Sequence, residues 1–122
     1  MLIGCGTLGS NLLPMLIKSG AGFNQPLTII DSDIYGVENF SRHYLGLSSV
    51  KKNKALEMKN AMLNQCRGAD EFSHNLKIIA ITRNFEEEFD ENSELPYDII
   101  LDMTGNEAFS NYLGRRLCKM QK

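Results

Sequence analysis

Three glycines, Gly4, Gly6 and Gly9, stand in a Gly-x-Gly-x-x-Gly spacing directly after the apolar pair Leu2-Ile3. Glycine at these positions lets a backbone turn tightly and approach a phosphate. A helix opening behind the turn adds unpaired N–H groups and a partial positive charge. A tight strand-to-helix turn that holds no ligand explains the same three residues. Asp31 follows Gly9 by 22 positions, at the end of the β-branched run Leu27-Thr28-Ile29-Ile30. There a carboxylate can accept hydrogen bonds from both hydroxyls of a ribose, at the spacing of about 20 residues that the nucleotide fingerprint requires. A surface aspartate at a strand end is the plainer reading of Asp31 alone. The two signals together favour an adenosine nucleotide with a free ribose.

The elements that would position these residues are legible in the apolar spacing. Leu8, Leu12 and Leu16, with Leu13 and Ile17 beside them, predict a helix over 7–19 that Pro14 should kink and that Gly20 and Gly22 should stop. Leu27–Ile30 reads as a buried parallel strand. Ser48-Ser49 are expected to cap a helix through about Gln65, with Val50, Ala55, Met58 and Met62 facing inward and Lys51, Lys52 and Lys59 facing out. Leu76–Thr82 and Asp98–Asp102 read as further buried strands, and Asn106 as the cap of a last helix carrying Ala108, Phe109, Tyr112, Leu113 and Leu117. The order β-α-β-α-β-β-α predicts an α/β fold of Rossmann type: a doubly wound, mostly parallel sheet with flanking helices.

The 122 residues suit one domain, expected over 1–122. A hydrophobic share of 43% against 23% charged residues is that of an ordinary globular chain. The net charge of −2 supplies no basic field for nucleic acid or anionic lipid. Cys5, Cys66 and Cys118 form no Cys-x-x-Cys pair, so neither a disulfide framework nor a zinc site is legible. With no apolar run near the ~20 residues of a membrane span and no basic leader, the expected setting is the cytoplasm, away from membranes. The acidic stretch Glu86-Glu87-Glu88-Phe89-Asp90-Glu91 contains no His or Cys and is read as a solvated loop or helix face.

Asp31-Ser32-Asp33, Asn39-Phe40-Ser41-Arg42 and Lys51-Lys52-Asn53-Lys54-Ala55 follow the glycines in order. This ordered set resembles the ThiF/MoeB/HesA family, which includes the ubiquitin-activating E1 enzymes. The family pattern is Gly-x-Gly-x-x-Gly, Asp-x-Asp near a strand end, Asn-x-x-Arg, then Gly-Lys-x-Lys-Ala opening a helix. The matches are Gly4, Gly6, Gly9, Asp31, Asp33, Asn39, Arg42, Lys52, Lys54 and Ala55. The resemblance implies adenylation: a carboxylate attacks the α-phosphate of ATP and pyrophosphate leaves. Positive charge must then be fixed where an anionic nucleophile meets an anionic polyphosphate. By carry-over, Arg42 and Lys54 are those cations, and Asn39 hydrogen-bonds nucleotide or phosphate oxygens beside them. Pairing of Arg42 with a nearby acid, and a merely solvated Lys54, are the structural alternatives.

The resemblance also implies Mg2+, yet the pattern departs where a second acid would bind it. The chain reads Asp102-Met103-Thr104-Gly105-Asn106, with Gly105 in the acid's place, so no metal ligand is assigned. Lys51 replaces the usual glycine of the Gly-Lys-x-Lys-Ala element, and His43 stands where glutamine is common. His43 is read as a packing or hydrogen-bonding residue. The implied partner is a ubiquitin-like or sulfur-carrier protein, or a peptide C-terminus, acting with a homodimer. The chain is expected to represent the nucleotide-binding half of such a protein, lacking part of an N-terminal strand and a C-terminal half. A non-catalytic nucleotide-binding or interaction module is the alternative. An NAD-dependent oxidoreductase is a third reading that leaves Arg42 and Lys54 without a role.

Overall fold

A computed structural model describes residues 1–67 and 74–121. Its elements are β1 (Leu2–Ile3), α1 (Thr7–Lys18), β2 (Leu27–Ile30), α2 (Lys54–Gln65), β3 (Ile78–Ile81), α3 (Phe85–Glu88), β4 (Leu101–Asp102) and α4 (Glu107–Met120), with 3₁₀ turns at Val37–Asn39 and Leu47–Ser49. The four strands form one parallel sheet in the order β3-β2-β1-β4. This is the α/β architecture expected from the alternation of apolar strands and amphipathic helices.

The two-residue β1 lies at the centre of the sheet, with Leu2 opposite Ile29 and Leu101 and Ile3 opposite Ile30 and Asp102. Alternation along the strands sends neighbouring side chains to opposite faces. Leu2 and Ile29, both wholly buried, pack with Leu13, Ile17, Ala55, Met58 and Met62 from α1 and α2. Ile3 and Ile30 pack on the other face with Phe85, Leu95 and Leu113. Both faces are therefore covered, as a parallel sheet requires.

Helix α1 runs through Pro14 to Lys18 without interruption. Its end is a Schellman turn. Gly20, at a φ of +106°, donates to the Ile17 carbonyl, and the Ala21 amide returns to the Leu16 carbonyl. Helix α2 differs from the expectation. Ser48 and Ser49 belong to the preceding 3₁₀ turn, and Asn53 is the cap, its side-chain oxygen accepting from the Leu56 amide at 2.9 Å. The chain cannot be helical across 50–52 because Lys51 sits at a φ of +71°, in the left-handed region that breaks a right-handed helix. Strands β3 and β4 are shorter than expected at Ile78–Ile81 and Leu101–Asp102, because apolar composition continues beyond the residues that pair. In the acidic stretch, Phe85–Glu88 forms one helical turn anchored by buried Phe85. All three cysteines are free thiols. Among the described residues no helix is long and apolar enough to cross a membrane.

Candidate functional site

A cavity of about 300 Å³ opens at the C-terminal ends of the strands, where the sheet order reverses around β1. Such a switch point is where open α/β sheets take ligands. Its walls include Gly4, Gly6, Asp31, Asp33, Asn84 and Thr104.

The three glycines sit in different surroundings. Gly4 has a φ of +93°, and a Cβ there would lie 3.0 Å from the Met103 carbonyl group, just past the end of β4. Gly9 lies against Gly4 so closely that a Cβ would fall 1.8 Å from the Gly4 carbonyl oxygen. Gly6 is the reverse: a Cβ would meet no atom within 4 Å. Gly4 and Gly9 thus close the turn onto the sheet, while Gly6 keeps its outer side open toward the cavity. No side chain caps the start of α1, so the backbone amides of the helix end meet no internal anion there.

Asp31 grips this turn from β2. Its carboxylate accepts the Cys5 amide at 2.7 Å through Oδ2 and the Asp33 amide at 2.8 Å through Oδ1. Each carboxylate oxygen has a second acceptor position, so both remain able to receive ribose hydroxyls. On the other side of Cys5, His43 Nε2 lies 2.6 Å from the Cys5 carbonyl oxygen, and the Leu45 amide donates to His43 Nδ1 at 3.0 Å. A nitrogen that accepts cannot carry the proton, so this network assigns the proton to Nε2. Burial holds the imidazole below its ordinary pKa and nearby Lys54 adds to that, against opposing contributions from the Cys5 carbonyl and Asp31. Burial, joined by Asp31, pushes the Cys5 thiol up to about 12, with Lys54 opposing. Cys5 is therefore an inert wall of the loop and not a nucleophile.

Lys54 is the first residue of α2 and is buried, at 8% exposure, unlike exposed Lys51 and Lys52. Its ammonium lies 3.8 Å from the Asp33 carboxylate, and its amide donates to the Asp33 carbonyl. The merely solvated alternative for Lys54 does not describe this environment. Arg42 is exposed, and no acid partners its side chain among the described residues. Its backbone is fixed instead, the amide by the Asn39 carbonyl and the carbonyl by Asn11 Nδ2 of α1 at 3.0 Å. Asn39 uses its side-chain oxygen on the Gly36 amide, which shapes the turn leading to Arg42. Gly4, Gly6 and Asp31 therefore line the cavity and Gly9 braces it, while Asn39, Arg42 and Lys54 stand outside its lining.

Sequence reasoning missed the wall supplied by β3 and α3. Ser32 donates to Asn84 Oδ1 at 2.6 Å, and Arg83, paired with Glu88, also borders the cavity. The signal was positional only: these residues follow a strand end, with no motif among them. At the end of β4, Asp102 accepts the Thr104 amide and hydroxyl and the Ser110 hydroxyl. Burial raises its pKa, but the Ser110 and Thr104 hydrogen bonds outweigh that and hold the carboxyl below its usual range. Asp102 is thereby committed to capping the following turn. Gly105, at a φ of +63°, contributes no side chain.

A family model described as the ThiF family matches residues 1–122. Over 112 residues the chain is 33% identical to the ATP-dependent ubiquitin transferase-like protein Cap2 of Escherichia coli (strain TW11681), covering 89% of this chain and 17% of that protein. The Cap2 of Vibrio cholerae serotype O1 is 34% identical over 113 residues, covering 92% of this chain and 18% of its own length. The Cap2 of Pseudomonas aeruginosa (strain BWHPSA011 / Pa011) is 31% identical over 113 residues, at 92% and 19%. The chain thus spans less than a fifth of these curated relatives.

Proposed function

The chain belongs to the ThiF family, and we propose that it is the ATP-binding part of an E1-like enzyme that adenylates a carboxylate and releases pyrophosphate. One observation carries the nucleotide reading: of the three fingerprint glycines, only Gly6 leaves open space at the cavity, with Asp31 holding the same turn from β2. In this reading the phosphates lie on the Gly4–Gly9 turn and the α1 amides, and the ribose hydroxyls on Asp31. Lys54 and Arg42 supply the fixed positive charge that lets a carboxylate approach the α-phosphate. Arg42 can do this with two oriented hydrogen bonds, and Lys54 as a point charge. The relatives' name, ubiquitin transferase-like, supports the C-terminus of a ubiquitin-like protein as the carboxylate. A sulfur-carrier protein or a peptide C-terminus offers the same chemistry. A homodimer remains the expected assembly from the resemblance.

The donor set does not fit a dedicated Mg2+ site. Asp102 already accepts from Thr104 and Ser110, Gly105 has no side-chain oxygen to offer, and no cluster of three metal-ligating side chains occurs among the described residues. Mg2+ commonly binds through one or two carboxylates plus substrate phosphates, so no step is assigned to it here.

The lack of a side-chain carboxylate at Gly105 favours a second reading, a module that binds the nucleotide without turning it over. Exchange of labelled pyrophosphate into ATP separates the two. The adenylating reading expects exchange that depends on an added protein or peptide carboxylate. ATP binding without exchange, using the full natural protein and its cognate carboxylate, would leave the binding module. Stronger thermal stabilisation by NAD than by ATP would overturn both.

A further inference from the structure

The peptide group at Cys5 is held from two sides, and only one of the holders belongs to the nucleotide fingerprint. Asp31 takes the Cys5 amide, while His43 holds the Cys5 carbonyl at 2.6 Å and receives the Leu45 amide at 3.0 Å. The ring is buried and meets Tyr35 edge-on at 5.0 Å between centroids, and the Tyr35 hydroxyl donates to the Leu45 carbonyl at 2.7 Å. One imidazole thus joins the glycine turn to the segment that carries Asn39 and Arg42. Two further bonds tie that segment to α1, from Asn11 to the Arg42 carbonyl and from the Tyr44 amide to Ser10 Oγ. Neither of those can titrate.

We propose that His43 is a positioning residue whose neutral imidazole sets the Arg42 segment against the glycine turn, so that acidification loosens this contact and weakens triphosphate binding. The inference rests on the nucleotide reading above. Neutral imidazole donates from one nitrogen and accepts at the other, which is what the Cys5 carbonyl and the Leu45 amide require. Imidazolium donates from both. Its Nδ1–H would then face the Leu45 N–H, two donors in contact, while the Cys5 bond could persist. The charged groups around the ring act in both directions: Asp31 at the end of β2 favours the imidazolium, and Lys54 on α2 opposes it, as does burial. Asp33, paired with Lys54, lies one step further out. The Cys5 thiol, held up at about 12, stays neutral throughout. Because the ring's pKa lies below its ordinary 6.5, the neutral form prevails at pH 7.5 and the change falls on the acid side of 6.5.

His43→Gln is the discriminating variant. Its amide offers an NH2 donor group and a carbonyl acceptor but has no proton to gain. At pH 7.5, His43→Ala should weaken ATP binding by up to about tenfold, the scale of one lost hydrogen-bond link, and Gln should restore most of that. Between pH 7.5 and a pH below the measured midpoint of the His43 ring, ATP affinity of the parent should fall several-fold more than that of His43→Gln. Both proteins see the same titration of ATP itself, so the difference isolates the ring. Adenosine affinity should show no such difference. In the ligand-free protein, the Cys5, Gly6 and Leu45 amide resonances should shift with the midpoint of the His43 ring. Amides that stay still while the ring titrates would overturn the proposal, as would an ATP affinity that responds to acid alike in parent and His43→Gln, or that strengthens in the parent. Absence of ATP binding in every protein at both pH values would instead overturn the nucleotide reading, with the resonance titration still deciding whether His43 moves the turn.

Discussion

Among the described residues two cationic side chains are buried, Arg116 and Lys54, and their surroundings are opposite. Arg116, at 6% exposure on α4, faces carbonyl oxygens: Nη1 donates to Phe89 and Nη2 to Asp90 and Ser93, and Nη1 also reaches the Tyr112 hydroxyl. Its guanidinium lies 5.4 Å from the centre of the Phe85 ring. No carboxylate pairs with it among the described residues, and its Nε has no partner. Lys54, at 8% exposure, is the first residue of α2, and its neighbour is the largely exposed carboxylate of Asp33. Arg116 spends its directional donors on the chain itself, organising the 89–93 loop over the second core. Lys54 holds an ion pair at 3.8 Å with the Asp33 carboxylate, which in the proposed reading a phosphate replaces. Burial alone therefore does not separate the two cations; what their donors already do separates them.

This contrast is most easily broken at Arg116. Arg116→Ala should cost about 3 kcal/mol or more, because three backbone carbonyls lose their charged donor. Urea unfolding measures that loss, and ATP affinity of the remaining folded protein should be unchanged. A stable Arg116→Ala with weakened ATP binding would reverse the assignment. Lys54→Met keeps the buried stem and removes the charge. It should cost at most about 1 kcal/mol of stability, as for other ion pairs with an exposed partner. ATP affinity should fall by about tenfold or more, the scale of a charge-assisted contact, while adenosine affinity holds. Equal losses for both ligands in calorimetry would return Lys54 to a structural role.

Smaller effects sharpen the picture at the flanks. Lys51→Gly should stabilise the protein by about 1 kcal/mol in thermal unfolding, since it relieves the left-handed conformation at a φ of +71°. The glycine expected there by resemblance has its physical reason in that angle. A loss of stability would mean that the lysine side chain offsets its strain. At the end of β4, Asp102 has a folded pKa below the unfolded value of 3.8, so its contribution is present above that pH and lost as pH falls through the folded value. Ser110→Ala removes one of the bonds that depress it. The acid unfolding midpoint should move slightly upward, and an unmoved Asp102 carboxyl resonance would contradict the hydrogen bonding described.

Fold and site were legible to different depths. Apolar runs located every strand, because parallel strands buried on both faces carry continuous hydrophobic sequence. Their ends were not legible, since pairing stops at Gly4 and at Asp102 through turn geometry that composition does not report. Ser48-Ser49 looked like a cap because the left-handed Lys51 is invisible in residue type alone. The glycine spacing and Asp31 pointed to residues that the fold brings together around one cavity. The β3 wall, with Arg83 and Asn84, came from topology, and the joining role of His43 came from contacts 38 residues apart in sequence, to Cys5. Neither leaves a local pattern to read.

The most direct test of the nucleotide edge is ATP calorimetry on Gly6→Ala. An added Cβ meets no atom within 4 Å, so the methyl group displaces no part of the protein, and the melting temperature of the variant is read beside its affinity. The methyl group would nevertheless enter the space assigned to the phosphates. The account predicts ATP affinity reduced by about tenfold or more, with adenosine binding nearly unchanged. Undiminished ATP affinity in a Gly6→Ala protein of parental stability would contradict it and take the phosphates off the glycine turn.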